Sequence, residues 1–165
     1  MKKWFAVLAA LAFLLVIPSQ EAEAQVSFGP QVVLWDFDEV GVGARVDIGL
    51  GESLGIEDGA FADLFASIDG NYLFGAGGMG DESGIMIGAN ANVPFQIDAA
   101  VTPYAGAGLN YHRVSANDVS FSNSGLNLLG GIFFGLGEIP AFAQVQYSTT
   151  WTGFLSLSAG VLFGG

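Results

Sequence analysis

Along most of this chain, apolar residues alternate with small or polar ones, and Gly, Asp, Asn or Pro clusters interrupt the alternation every ten residues or so. The clearest stretch is Ile85-Met86-Ile87-Gly88-Ala89-Asn90-Ala91-Asn92-Val93, with an apolar residue at every odd position and Gly88, Asn90 and Asn92 between them. A period of two is the signature of a strand with two different faces. Seven other segments read the same way: 26–35, 42–50, 64–74, 101–112, 126–135, 141–149 and 154–163. In the second, Val42, Ala44, Val46, Ile48 and Leu50 oppose Gly43, Arg45, Asp47 and Gly49. In the fifth, Ala105, Ala107, Leu109 and Tyr111 oppose Gly106, Gly108, Asn110 and His112. In the last, Leu155, Leu157, Ala159, Val161 and Phe163 oppose Ser156, Ser158 and Gly160. No stretch after residue 24 has the period of an amphipathic helix.

Residues 1–24 differ from the rest. Lys2 and Lys3 precede an apolar run from Trp4 to Ile17, and Ala22-Glu23-Ala24 forms a small-x-small site. These are the parts of a cleaved secretory signal, and the run is shorter than the roughly 20 residues of a spanning helix. The expected mature domain is 25–165. Strands of about ten residues, apolar on one face and polar on the other, behind a secretion signal, predict an all-β fold. The expected architecture is an eight-stranded antiparallel transmembrane up-and-down β-barrel in the cell outer membrane. With both termini inside, the outer connections are 36–41, 75–84, 113–125 and 150–153, and the inner ones 51–63, 94–100 and 136–140. Aromatics gather at the expected strand ends. Trp35, Phe37, Tyr72, Phe74, Tyr111, Tyr147 and Trp151 lie outside and Phe28, Phe65, Phe95, Phe142 and Phe163 inside, as in two membrane-interface belts.

Composition narrows the options. Apolar residues make up 52% of the chain although no long apolar run follows the leader, which suits a lipid-facing barrel better than a soluble core. The net charge of −12 excludes a nucleic-acid partner, since phosphate backbones are repelled. The absence of cysteine excludes disulfides, thiolate metal sites and a lipoprotein anchor.

Two segments carry a family resemblance: Pro103-Tyr104-Ala105-Gly106-Ala107-Gly108-Leu109-Asn110-Tyr111 and Pro140-Ala141-Phe142-Ala143-Gln144-Val145-Gln146-Tyr147. They resemble late strands of small outer-membrane barrels of the OmpA/OmpX-like superfamily, the porin-family β-barrel domain. Leu155-Ser156-Leu157-Ser158-Ala159-Gly160-Val161-Leu162-Phe163 looks like the terminal signal read by the assembly machinery in such proteins, except that Gly164-Gly165 follow the aromatic. The resemblance implies a monomer in outer-membrane lipid that engages that machinery through its last strand.

The candidate chemistry lies on the polar faces. Arg45, Asp47, Asp69, Asn71, Asn90, Asn92, Asn110, Asn127, Gln144 and Gln146 are expected to meet in the lumen, with Asp47 or Asp69 neutralising Arg45. An eight-stranded barrel is just wide enough for side chains to fill it, so the expected role of this set is a plug. His112 is the only histidine, expected at the rim and bonded to water. Lipid-A-deacylating barrels pair a histidine with a nearby serine, but His112-Arg113-Val114-Ser115-Ala116-Asn117 departs from their spacing. Gly75-Ala76-Gly77-Gly78-Met79-Gly80 spells a dinucleotide fingerprint with no helix to follow it, and reads as a loop. Asp36, Asp38 and Glu39 could attract a divalent cation but form no complete ligand loop. The expectation is therefore a non-enzymatic barrel without cofactor or bound metal, serving envelope integrity or surface interaction through its outer loops. A narrow channel or carrier for small or hydrophobic solutes is the alternative, and a lipid-A-modifying enzyme the third.

Overall fold

The computed structural model describes residues 26–56, 58–75, 83–97, 99–116, 119–150 and 153–164. The proposed leader, Trp151 and most of the glycine-rich 75–80 segment lie outside them. Eight strands form one sheet: β1 (Val26–Trp35), β2 (Glu39–Gly49), β3 (Phe65–Phe74), β4 (Ser83–Pro94), β5 (Val101–Ala116), β6 (Val119–Leu136), β7 (Ile139–Ser148) and β8 (Phe154–Val161). Each is antiparallel to its sequence neighbour, and β8 returns to pair with β1, so the sheet closes on itself. A two-residue continuation, β9 (Phe163–Gly164), keeps the β8 register along β1 past Leu162. Closure leaves no open sheet edge in the wall, the condition for strands to cross hydrocarbon.

The two faces are sorted opposite to a soluble protein. Val32, Val42, Ile68, Ile87, Leu109, Leu126, Leu128 and Val145 are exposed on the outside, while Gln31, Arg45, Asp47, Asp69, Asn71, Asn90, Asn92 and Asn110 are buried within. An apolar exterior around a polar interior is stable only when the surroundings are lipid. The lumen is too narrow for a side chain at every inward position, and glycine provides the relief. Gly43 stands opposite Asn71, Gly88 opposite Asp69, Gly106 opposite Asn92 and Gly108 opposite Asn90. A Cβ on Gly106 would lie 2.1 Å from Asn92 Oδ1, so the glycine makes the room that the amide fills.

Several connections differ from the sequence reading. The expected outer loop 113–125 is mostly strand. β5 and β6 run for 16 and 18 residues, and pair without interruption up to Ala116↔Val119. The serines at 120, 122 and 124 obscured this, because they place polar residues on the face that is apolar lower down. The first outer turn shrinks to Asp36-Phe37-Asp38, since β2 already starts at Glu39, and Asp38 N donates to Trp35 O at 3.1 Å. Asp36 and Phe37 both have positive φ, 50° and 62°, as a type I′ hairpin turn requires. The inner β6–β7 connection tightens to Gly137-Glu138. The β2–β3 connection contains one 3-10 turn, Glu52–Leu54, where the sequence suggested no helical structure at all.

Candidate functional site

Arg45 stands at the centre of the lumen and is 2% exposed. Its position on β2 alternates with outward Ala44 and Val46, so the pleat alone directs it inward. Arg45 Nε donates to Asp47 Oδ1 at 2.7 Å, the one salt bridge among the described residues. Nη1 donates to Tyr104 Oη at 3.1 Å and to Gln144 Oε1 at 2.9 Å, and the Tyr104 hydroxyl donates to the same Gln144 oxygen at 3.0 Å. Four rings enclose the guanidinium: Phe142 at 4.4 Å, Tyr104 at 5.5 Å, Phe133 at 5.9 Å and Phe65 at 6.0 Å. Such contacts are strongest where water is excluded.

The other expected lumen residues join through amide and hydroxyl bonds. Asn71 Nδ2 donates to Asp69 Oδ1 at 3.0 Å, and Gln31 Nε2 donates to Asn71 Oδ1 at 2.7 Å. Asn92 Nδ2 donates to Ser67 Oγ at 2.9 Å, and Asn127 Nδ2 to Asn90 Oδ1 at 3.0 Å. Asn110 Nδ2 donates to Ser148 Oγ at 2.5 Å, and Gln144 Nε2 reaches Gln146 Oε1 at 3.5 Å. Asp47 is the hydrogen-bonded partner of Arg45, while Asp69 is held by Asn71.

Both ends of this polar layer are closed by apolar side chains. At the inner end Phe65, Tyr104 and Leu129 pack together, with Phe133 against them. Toward the outer end Val33, Leu73, Met86 and Phe154 form a second cluster, flanked by Trp35 and Val114. A cavity of about 680 Å³ is lined mainly by the outward Val32, Leu34, Ile132, Val145 and Leu157, with Val33, Gln144 and Ser158 also bordering it.

The interface aromatics divide. Tyr72, Phe74, Tyr111, Tyr147 and Phe163 are exposed, and each sits at a position whose neighbours face inward. Tyr72 and Phe74 meet edge to face at 5.1 Å. Trp35 does not belong with them. Its ring lies inside, 4.7 Å from the His112 ring and 5.0 Å from Phe154. Phe65 and Phe142 likewise point into the lumen and not to an inner belt. The rim position expected for His112 is also corrected, because His112 is fully buried in that outer aromatic cluster. Gln31, Ser148 and Ser156, read from the sequence as polar-face residues, are buried as well, and so are Ser67, Tyr104 and Thr150, which sequence reasoning missed. Parity could have found Tyr104, which alternates in step with Gly106, Gly108, Asn110 and His112.

The enzymatic and metal candidates do not assemble. His112 and Ser115 are an odd number of residues apart on one strand, so they occupy opposite faces of the barrel wall. Asp36 and Asp38 lie on the first turn, whereas Glu39 takes an inward position on β2. Among the described residues no three His, Asp or Glu side chains come together as a metal site.

Neither a family model nor a curated protein sequence matches this chain. Solved structures do. Neisserial surface protein A (NspA) is 20% identical with a TM-score of 0.54, over 86% of this chain and 96% of its own. Ail, the attachment invasion locus protein of Yersinia pestis, is 18% identical with a TM-score of 0.51, over 85% and 97%. This protein has the eight-stranded fold of the small outer-membrane β-barrels. The barrel is also similar to the outer-membrane enzyme PagL, at 13% identity and a TM-score of 0.51, over 83% and 98% of the two chains. A surface protein, an attachment protein and an enzyme thus share one wall, so the barrel fold does not carry the function.

Proposed function

We propose that this barrel is a non-conducting, non-enzymatic element of the outer membrane that acts through its external end, in envelope integrity or surface interaction. The observation that carries the reading is the closed lumen. A hydrogen-bonded polar layer around Arg45 lies between two packed apolar clusters, and each member of that layer has a protein partner. A conducting path would need mobile polar groups or water along the axis, and here the central cation is held by Asp47, Gln144, Tyr104 and four rings. The enzymatic alternative draws no support, because the wall separates His112 from Ser115. The external end offers material for contact. The β5–β6 hairpin exposes Val119 and Phe121, and the first turn exposes Phe37.

The test pairs two measurements on cells and on purified protein. In planar bilayers the folded barrel is expected to add no stepwise conductance. In cells, deleting 114–121 is expected to alter surface adhesion or detergent resistance while the barrel still shows a boiling-dependent gel shift. Discrete channel openings by the intact protein, or altered lipid A acylation abolished by His112→Ala, would replace this reading with the channel or the enzyme.

A further inference from the structure

We infer that the outward surface of β4, β5 and β6, centred on Arg113, docks the phosphate of an outer-leaflet lipid. Polarity switches along one continuous hairpin. On β5 the outward positions run Ala105, Ala107, Leu109, Tyr111, Arg113 and Ser115. On β6 the residues facing Leu109, Tyr111, Arg113 and Ser115 are Leu126, Ser124, Ser122 and Ser120. Up to Leu109 and Leu126 this surface is hydrocarbon. Beyond Tyr111 it becomes one guanidinium and a row of hydroxyls. The inward face changes in the opposite sense, from Asn110 and His112 to Val114, which pairs with Phe121.

That double switch marks where the bilayer ends. Tyr111 is an outward, exposed ring of the kind that settles at the membrane–water boundary. Arg113 lies two residues farther along the strand, about 7 Å at the usual rise, and less along the normal because the strand is tilted. This is headgroup depth. Arg113 is exposed, with Ser122 beside it on β6 and Ile85 on β4, and the hydroxyls of Ser115 and Ser120 lie 2.9 Å apart one step higher. Among the described residues Arg113 has no ion-pair partner, and no carboxylate shares this outward surface of the three strands. A planar guanidinium flanked by hydroxyl donors suits the oxygens of a phosphate.

Overall charge makes the site stand out. The chain carries −12, and after the leader its only Lys or Arg residues are Arg45 and Arg113. Arg45 is enclosed with Asp47, so Arg113 is the only cation the folded domain can offer to an anion outside. The molecule as a whole repels anionic lipid, and any selection of it must be local. The site depends on the transmembrane fold but not on whether the barrel conducts.

The test uses the folded protein in nanodiscs of phosphatidylcholine with one tenth phosphatidic acid, released into native mass spectrometry to count retained lipids. Wild type is expected to retain phosphatidic acid over phosphatidylcholine, and Arg113→Gln to lower that preference about fivefold, the worth of one basic residue at a membrane surface. Arg113→Lys should keep part of the preference and Ser122→Ala should weaken it. An unaltered boiling-dependent gel shift checks that each variant is folded. Inorganic phosphate in the bath at millimolar concentration should displace none of the lipid, and displacement would make this a free-anion site instead. Equal retention of the two lipids by wild type, or the same preference in folded Arg113→Gln, overturns the inference.

Discussion

Replacing Arg45 by Met provides the sharpest test of how the barrel interior is held. Among the described residues Arg45 Nε is the only hydrogen-bond donor to Asp47, whose second oxygen, Oδ2, has no partner there. Methionine fills similar space among Phe65, Tyr104, Phe133 and Phe142, so the aromatic contacts survive in part while Asp47 is left as an unpaired buried carboxylate. Removing one member of a buried pair costs about 3–5 kcal/mol, most of it the unpaired charge left behind. The expected loss for Arg45→Met is therefore about 4 kcal/mol. Adding Asp47→Leu to Arg45→Met removes that carboxylate, and should restore all but about 1–2 kcal/mol, set by the lost bonds to Tyr104 and Gln144. Arg45→Lys keeps the charge but not the fork, and should fall between wild type and Arg45→Met. The assay is reversible urea unfolding in phospholipid vesicles followed by tryptophan fluorescence, with Trp35 as an internal reporter. If Arg45→Met unfolds within about 1 kcal/mol of wild type, or the double variant is no more stable than the single one, the account of the lumen as a charge-paired plug is wrong.

Four further variants test particular positions. Gly131→Ala should destabilise by about 1–3 kcal/mol in the same unfolding assay, because its Cβ would lie 2.4 Å from the Tyr104 ring and 2.7 Å from Ala143 O. Gly130→Ala, with its nearest atom at 3.7 Å, should change stability by less than about 0.5 kcal/mol, so equal effects would refute the inward and outward placement. Leu128, exposed and outward, should cost about 2–4 kcal/mol when changed to Arg in vesicles, a penalty a water-facing surface would not show. Phe37→Gly removes a side chain held at a φ of 62° and should raise stability by about 1 kcal/mol; a loss of stability would mean the Phe37 ring makes contacts that outweigh the strain.

The period of two in the sequence was sufficient for the class of fold and for which face of each strand is polar. This follows because the pleat sends alternate side chains to opposite sides whatever the strand pairs with. Applied strictly, parity would also have placed Trp35 with Gln31 and Val33, Phe65 with Asp69, and Phe142 with Gln144, all inside. Residue type at strand ends points to interface anchors for those rings, but the pleat is the stronger rule. Loop length was less legible, because Ser120, Ser122 and Ser124 reverse the polarity above the membrane while the hairpin itself continues. What no local pattern contains is which inward groups meet across the lumen. Arg45 is joined to Tyr104 and Gln144, 59 and 99 residues away, and Asn110 to Ser148, 38 residues away. Those pairs exist only once eight strands close with one particular stagger, since closure determines which inward positions share a level. The Arg45–Asp47 pair is local by contrast, two residues apart on one face of β2, whereas closure seals His112 behind Trp35 and Phe154 instead of leaving it at the rim.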